Sequence, residues 1–135
     1  VKQMAFQLRI IDAPNVTNPK SADAFLDQER GKPPAWTSKF AAFKEAITQS
    51  YPDLSEEDED GDNDENVWEE GLSEQTSSGG VKSVALKEEL TDEALVVAIA
   101  RAAIQAGLQC YDDEGQVLYR ADGKVVNTQG RATAL

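Results

Sequence analysis

The chain has 135 residues, 40% of them hydrophobic, with no histidine, one cysteine, and 25 acids against 13 bases for a net charge of −12. That length and content suit a single domain with one core. The lack of histidine removes the usual general base, the commonest zinc ligand and every Ser-His or Cys-His nucleophile, and a single thiol excludes an internal disulfide or multi-thiolate metal site.

The elements follow in chain order. Val1-Lys2-Gln3 precedes Met4, the natural initiator, and reads as vector-derived, so the domain is expected over residues 4–127. Phe6 to Ile11, FQLRII, alternates and then turns continuously apolar, which predicts a strand with one buried face, ended by Asp12-Ala13-Pro14-Asn15. Ser21 caps a short helix running to Arg30, with Gly31 closing it and Lys32-Pro33-Pro34 as a stiff connector. Phe40, Phe43, Ala46 and Ile47 recur at helical spacing from Thr37 or Ser38 to Ser50, and Tyr51-Pro52 stops that helix.

Between Asp53 and Glu74 lie twelve acids and no Lys or Arg, leaving thirteen of each sign elsewhere. One segment therefore carries the whole excess charge. Its composition buries too little to offset ordering, which predicts a mobile loop over residues 55–66. Order returns at Val67-Trp68, and Val67–Leu72 and Val81–Leu86 read as two strands joined loosely through Ser77-Ser78-Gly79-Gly80.

The strongest structural signal is Leu90 to Tyr119. Thr91 is placed to N-cap a helix, with Leu90 stapling onto Leu95 and acids in the first turn. From there to Ala106 only Arg101 and Gln105 interrupt the apolar run, which predicts a central helix covered on most sides. Gly107 ends it, and Leu108 to Tyr119 reads as a hairpin turning through Asp112-Asp113-Glu114-Gly115. Asp122-Gly123 offers a further turn, Val125-Val126 an edge strand, and residues 128–135 a frayed tail. The order predicts an α+β fold, an antiparallel sheet with helices packed on one face, and a ferredoxin-like arrangement as the leading topology.

The acidic segment is the candidate site. Placing Glu56, Asp58 and Asp60 at the first three ligand positions of a calcium loop puts Gly61 at the sharp turn. Position twelve is then Val67 where a bidentate Glu is needed, so no specific metal site is expected. Two readings stay open. The run is a solvated, solubilising insert, or it is a counter-surface to a basic cleft formed by Glu56, Glu57, Asp58, Glu59, Asp60, Asp62, Asp64, Glu65, Glu69 and Glu70, with Trp68 as the aromatic anchor. Its phosphate-repelling charge argues against nucleic acid and anionic membrane as partners. Trp36 reads as a cover for a helix junction, Cys110 as a buried strand thiol, Arg101 as a snorkelling or paired cation, and Asp112 to Glu114 as turn residues rather than catalytic carboxylates. No catalytic residue, cofactor site or metal site emerges. With no apolar run of bilayer length and no leader pattern, the expected compartment is the cytoplasm.

FKEAITQSYPDLSEEDEDGDNDENVWEEGL followed by ALVVAIARAAIQAGLQCYDDEGQVLYR resembles the small acidic immunity proteins that bacteria encode beside polymorphic or contact-delivered toxins of the type VI or Rhs type. The resemblance runs from Phe40 to Arg120. It lies in a helix ending Tyr-Pro, an acid-rich stretch, a Trp, and a late apolar helix leading into a hairpin that ends Val-Leu-Tyr. It implies a non-enzymatic toxin inhibitor that binds its cognate toxin in the producing cell and occludes the active site. The other readings are a regulatory adaptor with a solubilising acidic loop and a carboxylate- or metal-dependent enzyme.

Overall fold

The computed structural model describes residues 6–13, 15–33, 38–51, 68, 77–87, 92–112, 115–128 and 132–134. Their order is β1 (Phe6–Ile11), α1 (Pro19–Glu29), α2 (Ser38–Thr48), β2 (Ser77–Ser78), β3 (Val81–Leu86), α3 (Glu93–Gln105), β4 (Gln109–Asp112), β5 (Val117–Tyr119), β6 (Lys124–Val126) and β7 (Ala132–Ala134). The strands form one antiparallel sheet in the order β2-β3-β1-β4-β5-β6-β7, so the fold is α+β as the element pattern predicts.

β1 lies between β3 and β4, with Ile10 opposite both Lys82 and Cys110 and Ile11 opposite Val81 and Gln109. Side chains alternate across a strand, so this register sends Leu8, Ile10, Val84, Leu86 and Cys110 to one face and Ile11, Tyr111 and Leu118 to the other. The first face packs against α2 through Phe40, Phe43 and Ile47 and against α3 through Leu95, Ile99, Ala102 and Ala103. The second packs against α1 through Ala22, Phe25 and Leu26, with Ala13 and Val16 beside it.

Helices therefore cover both faces, and the expectation of a single helical layer is corrected. The cause is that β1 and β4 are apolar on both sides, which demands a second cover. The first four strands keep the expected ferredoxin-like arrangement: their order is β2-β3-β1-β4 with every neighbour antiparallel, so β2 runs parallel to β1 with β3 between them. α2 and α3 share one face of these strands, and α1 on the opposite face and strands β5 to β7 at the edge are additions to that arrangement.

Local chemistry sets the helix ends. Asn18, not Ser21, caps α1. The Asn18 side chain accepts from the Ser21 amide at 2.8 Å, while the Ser21 hydroxyl accepts from the Asn18 amide at 3.1 Å, a reciprocal capping box with Pro19 in the first turn. Asp92, not Thr91, caps α3, accepting from the Leu95 amide at 2.8 Å. Gly107, at φ +81°, ends α3 in a Schellman motif in which the Leu108 amide donates to the Ala103 carbonyl at 2.8 Å and the Gly107 amide to the Ile104 carbonyl at 3.0 Å. The helix is covered on most sides, as expected, with one narrow face open. Leu95, Ile99 and Ala103 are buried, Val96, Val97 and Ile104 are half-buried, and Ala94, Arg101 and Gln105 are exposed. Its many alanines let α2 and β4 approach closely.

Three further expectations change. Ser77-Ser78 forms β2 instead of a loose link, because ladder hydrogen bonds need only backbone and Gly79, at φ +55°, makes the tight turn to β3. Of the expected strand Val67–Leu72, Trp68 forms an antiparallel bridge with Leu86, and the other five positions lie outside the described residues. The tail is not all frayed, since Ala132–Ala134 pairs with Lys124–Val126 as β7. The expected mobile loop at 55–66 lies outside the described residues, as does Trp36.

Candidate functional site

Trp68 sits where the acid-bearing segment rejoins the body. It is 0% exposed, within the core formed by Phe40, Phe43, Leu86 and Leu95, and its indole Nε1 donates to the Tyr51 carbonyl at 2.9 Å. Tyr51 is half-buried against the same core, and its amide closes the end of α2 by donating to the Ile47 carbonyl at 2.9 Å. A buried indole N–H needs a partner, and this one fastens the residue that ends α2 to the residue beside β3. The two residues that flank positions 52–67 are thus joined, and the sequence between them carries Asp53, Glu56, Glu57, Asp58, Glu59, Asp60, Asp62, Asp64 and Glu65.

As a contact residue, Trp68 is corrected. Its ring is enclosed and presents no surface to a partner, because the apolar ring joins the α2–α3 core despite the acids flanking it in sequence. Its part in the site is to hold the segment's base. The ten carboxylates assigned to the counter-surface, Glu56 to Glu65 together with Glu69 and Glu70, lie outside the described residues.

The folded body holds a second polar arrangement that the sequence reading missed. On the face covered by α1, the fully buried Tyr111 donates its phenol to Asp23 Oδ1 at 2.8 Å. Gln116 Nε2 donates to the Tyr111 phenol oxygen at 3.0 Å and to Asp23 Oδ2 at 3.3 Å. Gln116 adopts φ +56° in the β4–β5 turn, an uncommon backbone state for a residue with a Cβ. The network ties α1 to the hairpin and floors a cleft of about 410 Å³ between the start of α1, the β4–β5 turn and the end of β6. Beside it, the buried Gln109 donates to the Ala13 and Val16 carbonyls at 2.7 and 3.0 Å and accepts from the Ala121 amide at 3.3 Å. The sequence signal was slight: Asp23 is one acid on a polar helix, and Gln116 follows the glycine where a turn residue was expected.

At the other end of α1, Glu29 reaches β3. Its carboxylate accepts from the Gly80 amide at 3.1 Å and pairs with Lys32. The Lys32 hydrogen bond, then that from Gly80, hold this carboxyl below its ordinary value despite partial desolvation. A Cβ on Gly79 would come within 2.7 Å of Glu29 Oε1 and would sit at φ +55°, so a side chain here would push the carboxylate aside and strain the turn.

Cys110 is fully buried, and desolvation, then the Asp112 charge, push its thiol far above the usual range, which makes it inert as a nucleophile in the native state. Asp112 accepts from the Gly115 amide at 3.0 Å, the side-chain turn expected there, and Arg101 is exposed. Among the described residues no group of three or more Cys, Asp or Glu side chains is placed to hold a metal ion, and no helix is long and apolar enough to cross a membrane. Comparison with models of known families, with curated proteins and with solved structures found no match.

Proposed function

We propose that this protein is an inhibitor acting by protein–protein contact, an immunity protein whose acidic segment occupies the basic active-site cleft of a cognate bacterial toxin in the cytoplasm of the producing cell. The observation that carries the reading is the clamp. The charge excess of −12 lies between Asp53 and Glu74, and most of it sits on a stretch whose two ends are joined through Trp68 Nε1 and the Tyr51 carbonyl. Joining the residues that flank a stretch of chain reduces the conformational freedom its carboxylates must give up on docking, and a dense run of one sign in sequence speeds encounter with an oppositely charged cleft. The alternative is a regulatory adaptor whose acidic segment keeps the protein soluble.

The test is kinetic. Association with the toxin encoded beside this gene is measured with the wild type and with Glu56, Glu57, Asp58, Glu59 and Asp60 changed to Gln or Asn, across salt concentrations. The inhibitor reading expects the variant to associate more slowly, with the gap closing as salt rises, because exposed charges are screened beyond about 8 to 10 Å at physiological ionic strength. Equal rates for both proteins at every salt concentration favour the adaptor.

A further inference from the structure

We propose that the cleft at the start of α1 is a binding site for a small zwitterion of amino-acid size. Lys20 and Asp23, one turn apart on α1, both line it, yet they make no ion pair with each other. Asp23 is instead turned onto the Tyr111 phenol and the Gln116 amide, which fix its carboxylate from below. Lys20 is exposed at the rim, and no ion pair is formed by it among the described residues.

A rim cation and a held anion on the same wall complement a ligand that carries a carboxylate and an ammonium on a short frame. The α1 dipole reinforces Lys20 at the carboxylate end. Asn127 and Thr128, just past β6, also line the cleft and make that part of its wall polar. The volume of about 410 Å³ falls within the range of roughly 300 to 1,000 Å³ usual for small-molecule sites. The lining residues come from three separated stretches of chain. The left-handed Gln116 is a local cost of the kind that collects at binding sites, and here it places the amide that orients Asp23.

The test uses the full chain, labelled with 15N, and follows amide shifts while each of the twenty free L-amino acids is added in turn. The expected result is saturable movement of the Lys20, Asp23, Gln116 and Thr128 amides with one amino acid or a few with polar side chains. N-acetylation or amidation of the best ligand should then weaken it about tenfold or more, since each removes a charge-assisted contact. Lys20→Gln, at an exposed site that leaves the fold intact, should weaken the free amino acid to the same degree and the amidated form hardly at all. Inorganic phosphate and glucose serve as probes of the cation alone and of the hydrogen-bonding groups alone. The proposal is overturned if no amino acid binds, if either blocked form binds as well as the free one, if Lys20→Gln changes nothing, or if phosphate or glucose matches the best amino acid.

Discussion

Replacing Trp68 by Phe removes the indole N–H while keeping an aromatic ring in the core, so it isolates the clamp from the packing. The native bond runs 2.9 Å from Nε1 to the Tyr51 carbonyl, and the indole is fully enclosed. Loss of a buried hydrogen bond costs about 0.5 to 1.5 kcal/mol net, and the smaller ring leaves a void worth about another 1 kcal/mol. The expected loss is therefore about 2 kcal/mol from a total of about 5 to 15, and the variant stays folded. Trp68→Ala, which also deletes the ring, should lose about 3 to 5 kcal/mol. Urea unfolding followed by circular dichroism measures both. Hydrogen exchange at Tyr51, whose amide donates to Ile47 at 2.9 Å, reports whether the end of α2 frays first in Trp68→Phe. The chain has two tryptophans, so a Trp36→Phe background leaves Trp68 as the only indole, and its emission should be blue-shifted and poorly quenched by acrylamide. A Trp68→Phe variant within 0.5 kcal/mol of wild type, with Tyr51 exchange unchanged, would refute the reasoning.

Other consequences are local. Ile99 is 0% exposed between α2 and the sheet, and Ile99→Ala should lower the unfolding free energy by about 2 to 5 kcal/mol in the same urea assay. Glu29 titrates below the ordinary glutamate value of 4.5 in the folded protein, so its bonds to Lys32 and Gly80 stabilise the fold above that value and cease to do so as pH falls through the lowered one. Glu29→Gln should thus be less stable than wild type at neutral pH, with the gap closing below about pH 4.5 in thermal melts; a pH-independent gap would argue against the pairing. Cys110 should resist an aromatic disulfide reagent in the native state and react at once in urea, because burial keeps the thiol protonated.

Much of the fold was legible because its elements follow simple periods. Phe40, Phe43 and Ile47 mark α2, and the α3 run ends at the glycine that its backbone needs. Cys110 was readable as a buried strand thiol from its apolar strand setting. The second helical layer left a trace, in that Ile10-Ile11 and Cys110-Tyr111 place bulky side chains on both faces of adjacent strands. Reading the first strand as one-faced missed it. The start of α1 was misplaced by three residues because Asn18 and Ser21 cap each other, and either alone looks like the cap. β2 and β7 are built from Ser-Ser and Ala-Thr-Ala, whose side chains carry no period, and each is held by backbone pairing to the strand next to it in sequence, Ser78 opposite Val81 and Ala132 opposite Val126. Trp68 was misassigned because flanking acids suggest exposure, whereas the partners that bury it, Phe40, Phe43, Leu86 and Leu95, are distant in sequence.

The proposed function rests on the charge of the segment that this tryptophan anchors, and one comparison bears on it most directly. The product of the neighbouring toxin gene is co-expressed with the wild type and with a variant in which the acids from Asp53 to Glu74 are changed to Asn and Gln, and complex formation is read by gel filtration alongside toxin activity. The account predicts a stoichiometric, inactive complex with the wild type, and an active, unbound toxin with the variant. An equally tight and inactive complex with both proteins would contradict it, and would move the interface from the acidic segment to the folded body.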